Sequence, residues 1–110
     1  KRSYGEITLT AEYMVTAGPC VKFKVYRKNL ESEYRLIKEI NVEELKNCRC
    51  TFLDKYLHSS ETYTYKAEAL DMDGEVLSTS RERTLLMFPK TSPPVSQTAN
   101  RAASRKIEIR

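Results

Sequence analysis

The 110-residue sequence predicts an all-β fold, an antiparallel β-sandwich of about six to seven strands. Apolar residues alternate with polar ones along several segments, which is the period of a strand with one buried face. Turn signals separate these segments at regular intervals. The one helix-like stretch, residues 41–46, is too short to be the crossover helix that parallel strands require.

The N-terminal part of the chain contains three predicted strands. The first covers residues 7–15, where apolar side chains occupy every second position until Gly18 and Pro19 break the pattern. The second follows from the alternation over residues 21–25, and the third, less regular, lies within residues 34–40. These strands would each bury one face against a partner sheet.

A tight connection is predicted over residues 41–46. Asn41 is suited to cap its first turn, and Glu44 stands at the third helical position, from which it can reach back to the cap. Such a short helix is not stable alone, so it is interpreted as a connection to a short fourth strand over residues 50–54.

The last predicted hairpin has the strongest turn signal in the sequence. A fifth strand over residues 63–71 leads into Asp73 and Gly74, a pair typical of hairpin turns. Residues 76–86 supply the returning strand. The two strands should therefore be neighbours in one antiparallel sheet.

The charge is divided unevenly along the chain. The whole chain has 19 Lys and Arg residues against 15 Asp and Glu residues, a net charge of +4, but residues 1–88 contain 14 of each sign. The surplus therefore lies in residues 89–110. A neutral body argues against nucleic-acid binding, which needs a basic face. We predict a domain over residues 1–88 and a linker rich in Pro, Ser and Arg over residues 89–110.

No apolar run is long enough to insert into a membrane, and the N-terminus lacks the apolar stretch of a signal peptide. The chain is therefore expected to be either cytosolic or part of a longer protein whose targeting segment lies elsewhere.

The segment from Leu57 to Ser80 resembles the second half of a fibronectin type III domain. It has a leucine six residues before the corner tyrosine Tyr63, then alternating core positions, an alanine, a glycine and closing serines at that family's spacings. Looser similarity to the family's B, C and E strands covers residues 7–11, 23–27 and 52–57. The resemblance implies an immunoglobulin-like sandwich in which the Tyr63 hydroxyl is bonded to backbone at the turn before its strand.

Two features of that family are missing. Ala11 stands where the family has a tryptophan, and the A strand is absent from its place before Ile7. Residues 107–109 echo residues 7–9, which leaves three alternatives for the tail. It is a linker, a strand that folds back beside the B strand in place of the A strand, or the start of a following repeat.

The three cysteines would lie at one end of a sandwich with this topology. We predict one disulfide from Cys20 to Cys48 or Cys50, which would imply an oxidising compartment. The alternative is three reduced thiols in a cytosolic protein. A zinc site is not expected, because structural sites usually use four ligands and the single histidine, His58, belongs to the opposite end.

The resemblance implies a non-catalytic interaction or spacer module of a larger extracellular or cell-surface protein, without a cofactor. Proteins that resemble this family are mostly receptors, adhesion proteins or secreted enzymes that carry such domains as appendages. We do not expect an enzyme, because His58 has no Ser or Cys partner at a readable spacing and the three glycines form no phosphate-binding loop. The expected partners are other proteins or neighbouring domains.

Two surfaces are candidates for partner binding. Basic residues along two neighbouring strands would form a stripe for a protein or an acidic glycan, namely Lys22, Lys24, Arg27, Arg35 and Lys38. Interleaved glutamates give the alternative of a solvated, salt-bridged face. A glycan-binding accessory module would instead use the tyrosines Tyr26, Tyr34 and Tyr56. An intracellular scaffold domain is a further alternative, which three free thiols would favour.

Overall fold

The computed structural model describes residues 2–58, 61–86 and 103–110. Over these residues the chain is mostly strand, so the predicted all-β class is confirmed. The strands are β1 (Arg2–Ala11), β2 (Lys22–Asn29), β3 (Arg35–Asn41), β4 (Arg49–His58), β5 (Thr62–Leu70), β6 (Val76–Thr79), β7 (Arg83–Leu86) and β8 (Ala103–Ile109). A short helix α1 (Tyr13–Ala17) follows β1, and a 3-10 turn (Val42–Glu44) follows β3.

Two sheets pack face to face. One sheet has three strands in the spatial order β4–β1–β8. The other has five strands: β3, β2 and β5 lie side by side in that order, and both β6 and β7 pair with β5. The neighbouring strands are antiparallel, except that β8 runs parallel to β1. Strands β6 and β7 together form the returning segment expected after the Asp-Gly turn.

The core lies between the two sheets and is built from side chains at alternate positions of the strands. Ile7 and Leu9 of β1 and Phe23 and Val25 of β2 are fully buried, as their alternation predicts. The other fully buried large side chains are Ile40, Leu57, Tyr65, Leu85, Ile107 and Ile109. Every strand except β6 therefore places at least one buried side chain in the core.

The first strand ends earlier than predicted. β1 stops at Ala11, and α1 begins two residues later, because the Glu12 carbonyl accepts hydrogen bonds from the amides of Val15 and Thr16. Tyr13 is 72% exposed, so the alternation predicted through residue 15 does not correspond to a buried strand face. The prediction was wrong for residues 13–15, where apolar side chains are spaced as in a strand but the backbone turns.

The predicted connections form. The Asn41 amide donates to the Glu44 carboxylate at 2.9 Å, so the expected closure of the turn is confirmed. Gly74 adopts a φ of 84°, a left-handed conformation that suits glycine, and Asp71 Oδ1 accepts the amides of Asp73 and Glu75 at 2.9 Å each. The hairpin between β5 and β6 is therefore held by its own turn residues.

The end of the chain forms β8, which lies along β1. In this parallel pairing Leu9 stands opposite Ile107 and Ala11 opposite Ile109, and both isoleucines are fully buried. Residues 103–109 thus fold back beside the first strand. The predicted boundary at residue 88 and the linker to residue 102 lie outside the described residues.

Candidate interaction face and buried polar cluster

A polar cluster joins the two sheets inside the sandwich. Arg27 of β2 points inward, and its Nη1 donates to both carboxylate oxygens of Asp54 on β4, at 2.8 Å to Oδ1 and 3.0 Å to Oδ2. The Tyr65 hydroxyl of β5 donates to Oδ2 at 2.6 Å. Asp54 is 7% exposed and Tyr65 is fully buried. The carboxylate is thus enclosed by donors from two neighbouring strands of the facing sheet, β2 and β5.

The donors around Asp54 determine what this cluster can do. Each oxygen of the carboxylate accepts a hydrogen bond, and the Arg27 guanidinium also lies 5.5 Å from the centroid of the Tyr63 ring. Burial, and then the hydrogen bond to Asp54, raise the pKa of Tyr65, so its hydroxyl keeps its proton. No nucleophile is activated here. The cluster is a structural joint between the sheets.

Tyr65 gives the protein an expected sensitivity to alkaline pH. The pKa of Tyr65 in the folded protein is raised above the ordinary value of about 10. The protonated tyrosine therefore stabilises the folded state fully below about pH 10, and this contribution is lost as the pH rises from there toward the folded-state pKa, because the unfolded chain loses its proton first. Tyr65→Phe should therefore reduce the slope of the unfolding free energy against pH above about 10, by up to about 1.4 kcal/mol per pH unit. Urea titrations at pH values on either side of 10 measure this slope. An unchanged slope would contradict the assignment.

The predicted basic stripe is not one surface. The register between β2 and β5 is unbroken, so Arg27 lies opposite Tyr65 on the same face as the core residues of β2. Lys38 lies with its Nζ 5.8 Å from the centroid of Phe52 on the other sheet. Arg35 is exposed near the edge, opposite Arg27. The prediction was wrong because Arg27 and Lys24 have opposite positions in the strand alternation.

Lys22 and Lys24 do lie on the outer face, where glutamates accompany them. Lys22 Nζ is 3.8 Å from the Glu39 carboxylate, and Lys24 stands opposite Glu39 on β3 and Glu68 on β5. The alternative of a solvated, salt-bridged surface therefore describes this part of the sheet.

Aromatic and basic side chains meet farther along the same outer face. Lys66 Nζ of β5 lies 4.5 Å from the centroid of the Tyr34 ring and 5.9 Å from that of Tyr26. Lys28 Nζ of β2 lies 5.0 Å from the Tyr34 centroid. We call Tyr26, Lys28, Tyr34 and Lys66 the tyrosine–lysine face. Its cation–π contacts hold four partly exposed side chains in one ordered group.

The tyrosine hydroxyls of this face are fixed by carboxylates. Tyr26 donates to Glu68 at 3.1 Å, and Tyr34 donates to Glu82 in the segment between β6 and β7. Burial, and then the hydrogen-bonded carboxylate, raise the pKa of each tyrosine, so both stay neutral at physiological pH. The face therefore presents two ammonium groups beside two neutral, oriented rings. The side chain of Tyr56 lies outside the described residues.

The three cysteines are free in this structure, which does not contain the disulfide predicted from Cys20. Cys20 is turned into the core, 4% exposed, and its Sγ lies 3.5 Å from the Lys22 carbonyl. Cys48 sits in a tight turn with a φ of 62°, and its Sγ lies 3.6 Å from the Thr16 hydroxyl of α1. Cys50 packs against the core. Burial raises the pKa of the Cys20 and Cys50 thiols, which keeps them protonated.

Tyr63 makes the contact expected of a corner tyrosine. Its hydroxyl accepts a hydrogen bond from the backbone amide of His58 at 3.0 Å, across the turn between β4 and β5. The tyrosine thereby ties the start of β5 to the end of β4.

Tyr63→Phe should lower the unfolding free energy by about 1 kcal/mol, because the His58 amide loses its acceptor. Tyr26→Phe is the control, since its half-buried hydroxyl bonds a side-chain carboxylate and no backbone group loses a partner, so it should change stability by less than about 0.5 kcal/mol. Chemical denaturation of both variants makes the comparison. Equal decreases in the unfolding free energy of the two variants would contradict a stabilising role for the hydrogen bond between Tyr63 and His58.

Within residues 2–58, 61–86 and 103–110, no three His, Cys, Asp or Glu side chains are gathered as a metal site. In the same part of the chain, no helix has the length and apolarity needed to cross a membrane.

Comparison with known proteins supports the fold and not a family. No family model and no curated protein matches the chain. Among solved structures, the chain is similar to an alternative pilotin from the type II secretion system of Vibrio cholerae, with a TM-score of 0.54 and 12% sequence identity. The match covers 100% of this chain and 98% of the pilotin chain. At this identity the likeness concerns the fold alone.

Proposed function

We propose that this chain is a non-catalytic protein-interaction module that binds its partner through the tyrosine–lysine face. The observation that carries the proposal is the ordering of Tyr26, Lys28, Tyr34 and Lys66 by cation–π contacts on an outer sheet surface. Tyrosines are enriched at the energetic centres of protein interfaces. Rings that are already held in place lose little conformational entropy on binding.

The two ammonium groups of this face favour a partner surface with carboxylates, and Glu68 and Glu82 lie beside the tyrosine hydroxyls of the same face. Lys28 and Lys66 form no ion pair with the described residues, since their ammonium groups rest against tyrosine rings. Acidic side chains of a partner could approach them without displacing an existing salt bridge. Glycan binding is less well supported, because stacking of a sugar needs open ring faces and Lys66 already covers both tyrosines.

We also propose that the sandwich is immunoglobulin-like. An immunoglobulin-like sandwich of the fibronectin type III kind is supported by the strand order of the two sheets and by the hydrogen bond of Tyr63. In that interpretation β1, β2, β4 and β5 correspond to the B, C, E and F strands. The parallel strand β8 then stands at the A position, which is a departure from an antiparallel A strand.

Two locations are compatible with the proposed function, an extracellular one and an intracellular one. Resemblance to cell-surface and adhesion proteins supports an extracellular module, whereas the three free thiols favour the intracellular scaffold. Thiol alkylation of the protein taken from its native source without reduction separates them. Three alkylated cysteines would support the scaffold, and a blocked pair would support the extracellular module.

Site-specific photo-cross-linking tests the binding face. A photoreactive residue is placed at Thr64, on the outer face of β5, or at the control position Thr51, on the outer face of β4. The two threonines are matched, because each hydroxyl contacts a threonine on the adjacent strand, Thr84 at 3.5 Å and Thr8 at 3.0 Å. We expect a discrete cross-linked protein from position 64 and none from position 51.

The double variant Lys28→Gln/Lys66→Gln should abolish the cross-link while changing the unfolding free energy by less than about 1 kcal/mol. A cross-link that survives this variant, or one formed equally from both threonine positions, would contradict the proposal. Glycan-array binding that is lost on Tyr26→Ala or Tyr34→Ala would favour the glycan-binding alternative instead.

A further inference from the structure

A cleft of about 450 Å³ shares no lining residue with the tyrosine–lysine face. It is lined by Thr79, Arg81 and Arg83 from the junction of β6 and β7, and by Glu108 and Arg110 from the end of β8. This volume is within the range of small-molecule sites, which is about 300–1,000 Å³. Three guanidinium groups and one carboxylate line it, a surplus of two positive charges.

The local geometry directs the arginines to the cleft. Arg81 and Arg83 are two positions apart and share one side of the chain, whereas Glu82 between them turns away to accept the Tyr34 hydroxyl. Neither guanidinium has an ion pair or a hydrogen bond with the part of the chain that the structure describes. Their donors are therefore available to a ligand.

The other wall is held by ion pairs. The Glu108 carboxylate lies 2.9 Å from Arg110 Nη2 and 3.2 Å from Lys106 Nζ, and Arg110 Nη1 is 3.6 Å from Glu12. Hydrogen bonds from Arg110 and Lys106 lower the pKa of Glu108, so it stays ionised and orients Arg110. With its charge balanced by two cations, Glu108 opposes an incoming anion only weakly.

We propose that this cleft binds a phosphate monoester as its dianion, with Arg81 and Arg83 donating to the phosphate oxygens and Arg110 completing the site. Guanidinium groups bind phosphate in a bidentate manner and remain charged at all physiological pH values. A dianion matches the surplus of two positive charges, whereas a carboxylate or a sulfate ester carries one negative charge. The cleft is larger than the phosphate group alone, so it accommodates part of the molecule that carries it.

Titration of the intact chain with phenyl phosphate, followed by NMR, tests the proposal. The Nε–H signals of Arg81, Arg83 and Arg110 should shift, and phenyl sulfate, the monoanionic analogue, should bind several-fold more weakly. Inorganic phosphate is titrated in a second experiment. If it binds more weakly than phenyl phosphate, the cleft also recognises the part of the molecule that carries the phosphate group. Binding should decline below about pH 6, where a phosphate monoester takes up its second proton.

The double variant Arg81→Gln/Arg83→Gln should weaken phenyl phosphate binding by at least about tenfold. The control is Arg49→Gln, an exposed arginine on β4 at the opposite edge of its sheet, which should have no effect. Unshifted arginine signals, or equal affinity for phenyl sulfate, would overturn the proposal. Lys28→Gln/Lys66→Gln should leave phosphate binding unchanged, so failure of the interaction face and failure of this site are distinguishable.

Discussion

Replacing Ile107 and Ile109 together with alanine is expected to unfold the domain or bring it to the limit of stability. Both side chains are fully buried and complete the core beside Leu9 and Ala11 of β1. Each such truncation typically costs about 2–5 kcal/mol, whereas a whole domain has a net stability of about 5–15 kcal/mol. Urea denaturation followed by circular dichroism measures the loss.

The matched control for this prediction lies on the same strand. Lys106→Ala changes a side chain that is 59% exposed, and it should alter the unfolding free energy by less than about 0.5 kcal/mol. A double alanine variant as stable as the parent protein would mean that Ile107 and Ile109 are not part of the core.

Asp54→Ala is expected to lower the unfolding free energy by about 3 kcal/mol. The change leaves the Arg27 guanidinium, whose side chain is 23% exposed, without its counter-charge and the buried Tyr65 hydroxyl without its acceptor. The cost comes from these stranded partners and not from the loss of volume. Denaturant titration at neutral pH gives the value, and a loss below about 1 kcal/mol would contradict the role of the cluster as a joint.

A triple apolar variant separates structural from functional importance. Arg27→Met/Asp54→Leu/Tyr65→Phe removes every polar member of the cluster at once, and buried ion pairs replaced in this way often leave stability unchanged or raised. We expect it to recover most of the loss seen in Asp54→Ala. It should also keep the photo-cross-link from position 64. Loss of partner binding in a stably folded triple variant would assign the cluster a function in binding.

Local patterns predicted most strands because most strands bury one face. The alternation of Ile107 and Ile109 was also visible, but their neighbour β1 is almost the whole chain away, and local spacing contains no information on which edge a strand joins. The fold-back arrangement was therefore one alternative among three. The strand predicted over residues 13–15 was wrong because the apolar residues keep a strand-like spacing beyond the point where the Glu12 carbonyl starts a helix.

The candidate sites were harder to predict, although the signals for part of them were present. Arg27 has the same parity as Phe23 and Val25, which already directs it inward, and Asp54 follows Phe52 by two positions. Opposite charges at two inward positions predict a buried pair. The prediction of a disulfide from Cys20 was wrong because the direction of a side chain at a turn depends on the backbone conformation. The positive φ of Cys48 cannot be recognised from the residue type, since cysteine does not favour this conformation. The cleft between β7 and β8 depends on tertiary placement alone.

Hydrogen exchange of the β8 amides tests most directly whether residues 103–109 are a strand of this sandwich, on which both the closed core and the arginine cleft depend. The amides of residues 107–109 that face β1 should exchange as slowly as those of Ile7 and Leu9, because they open only when the core opens. Exchange of every amide in residues 105–109 at the rate of an unstructured chain would contradict this structure and make the tail a linker.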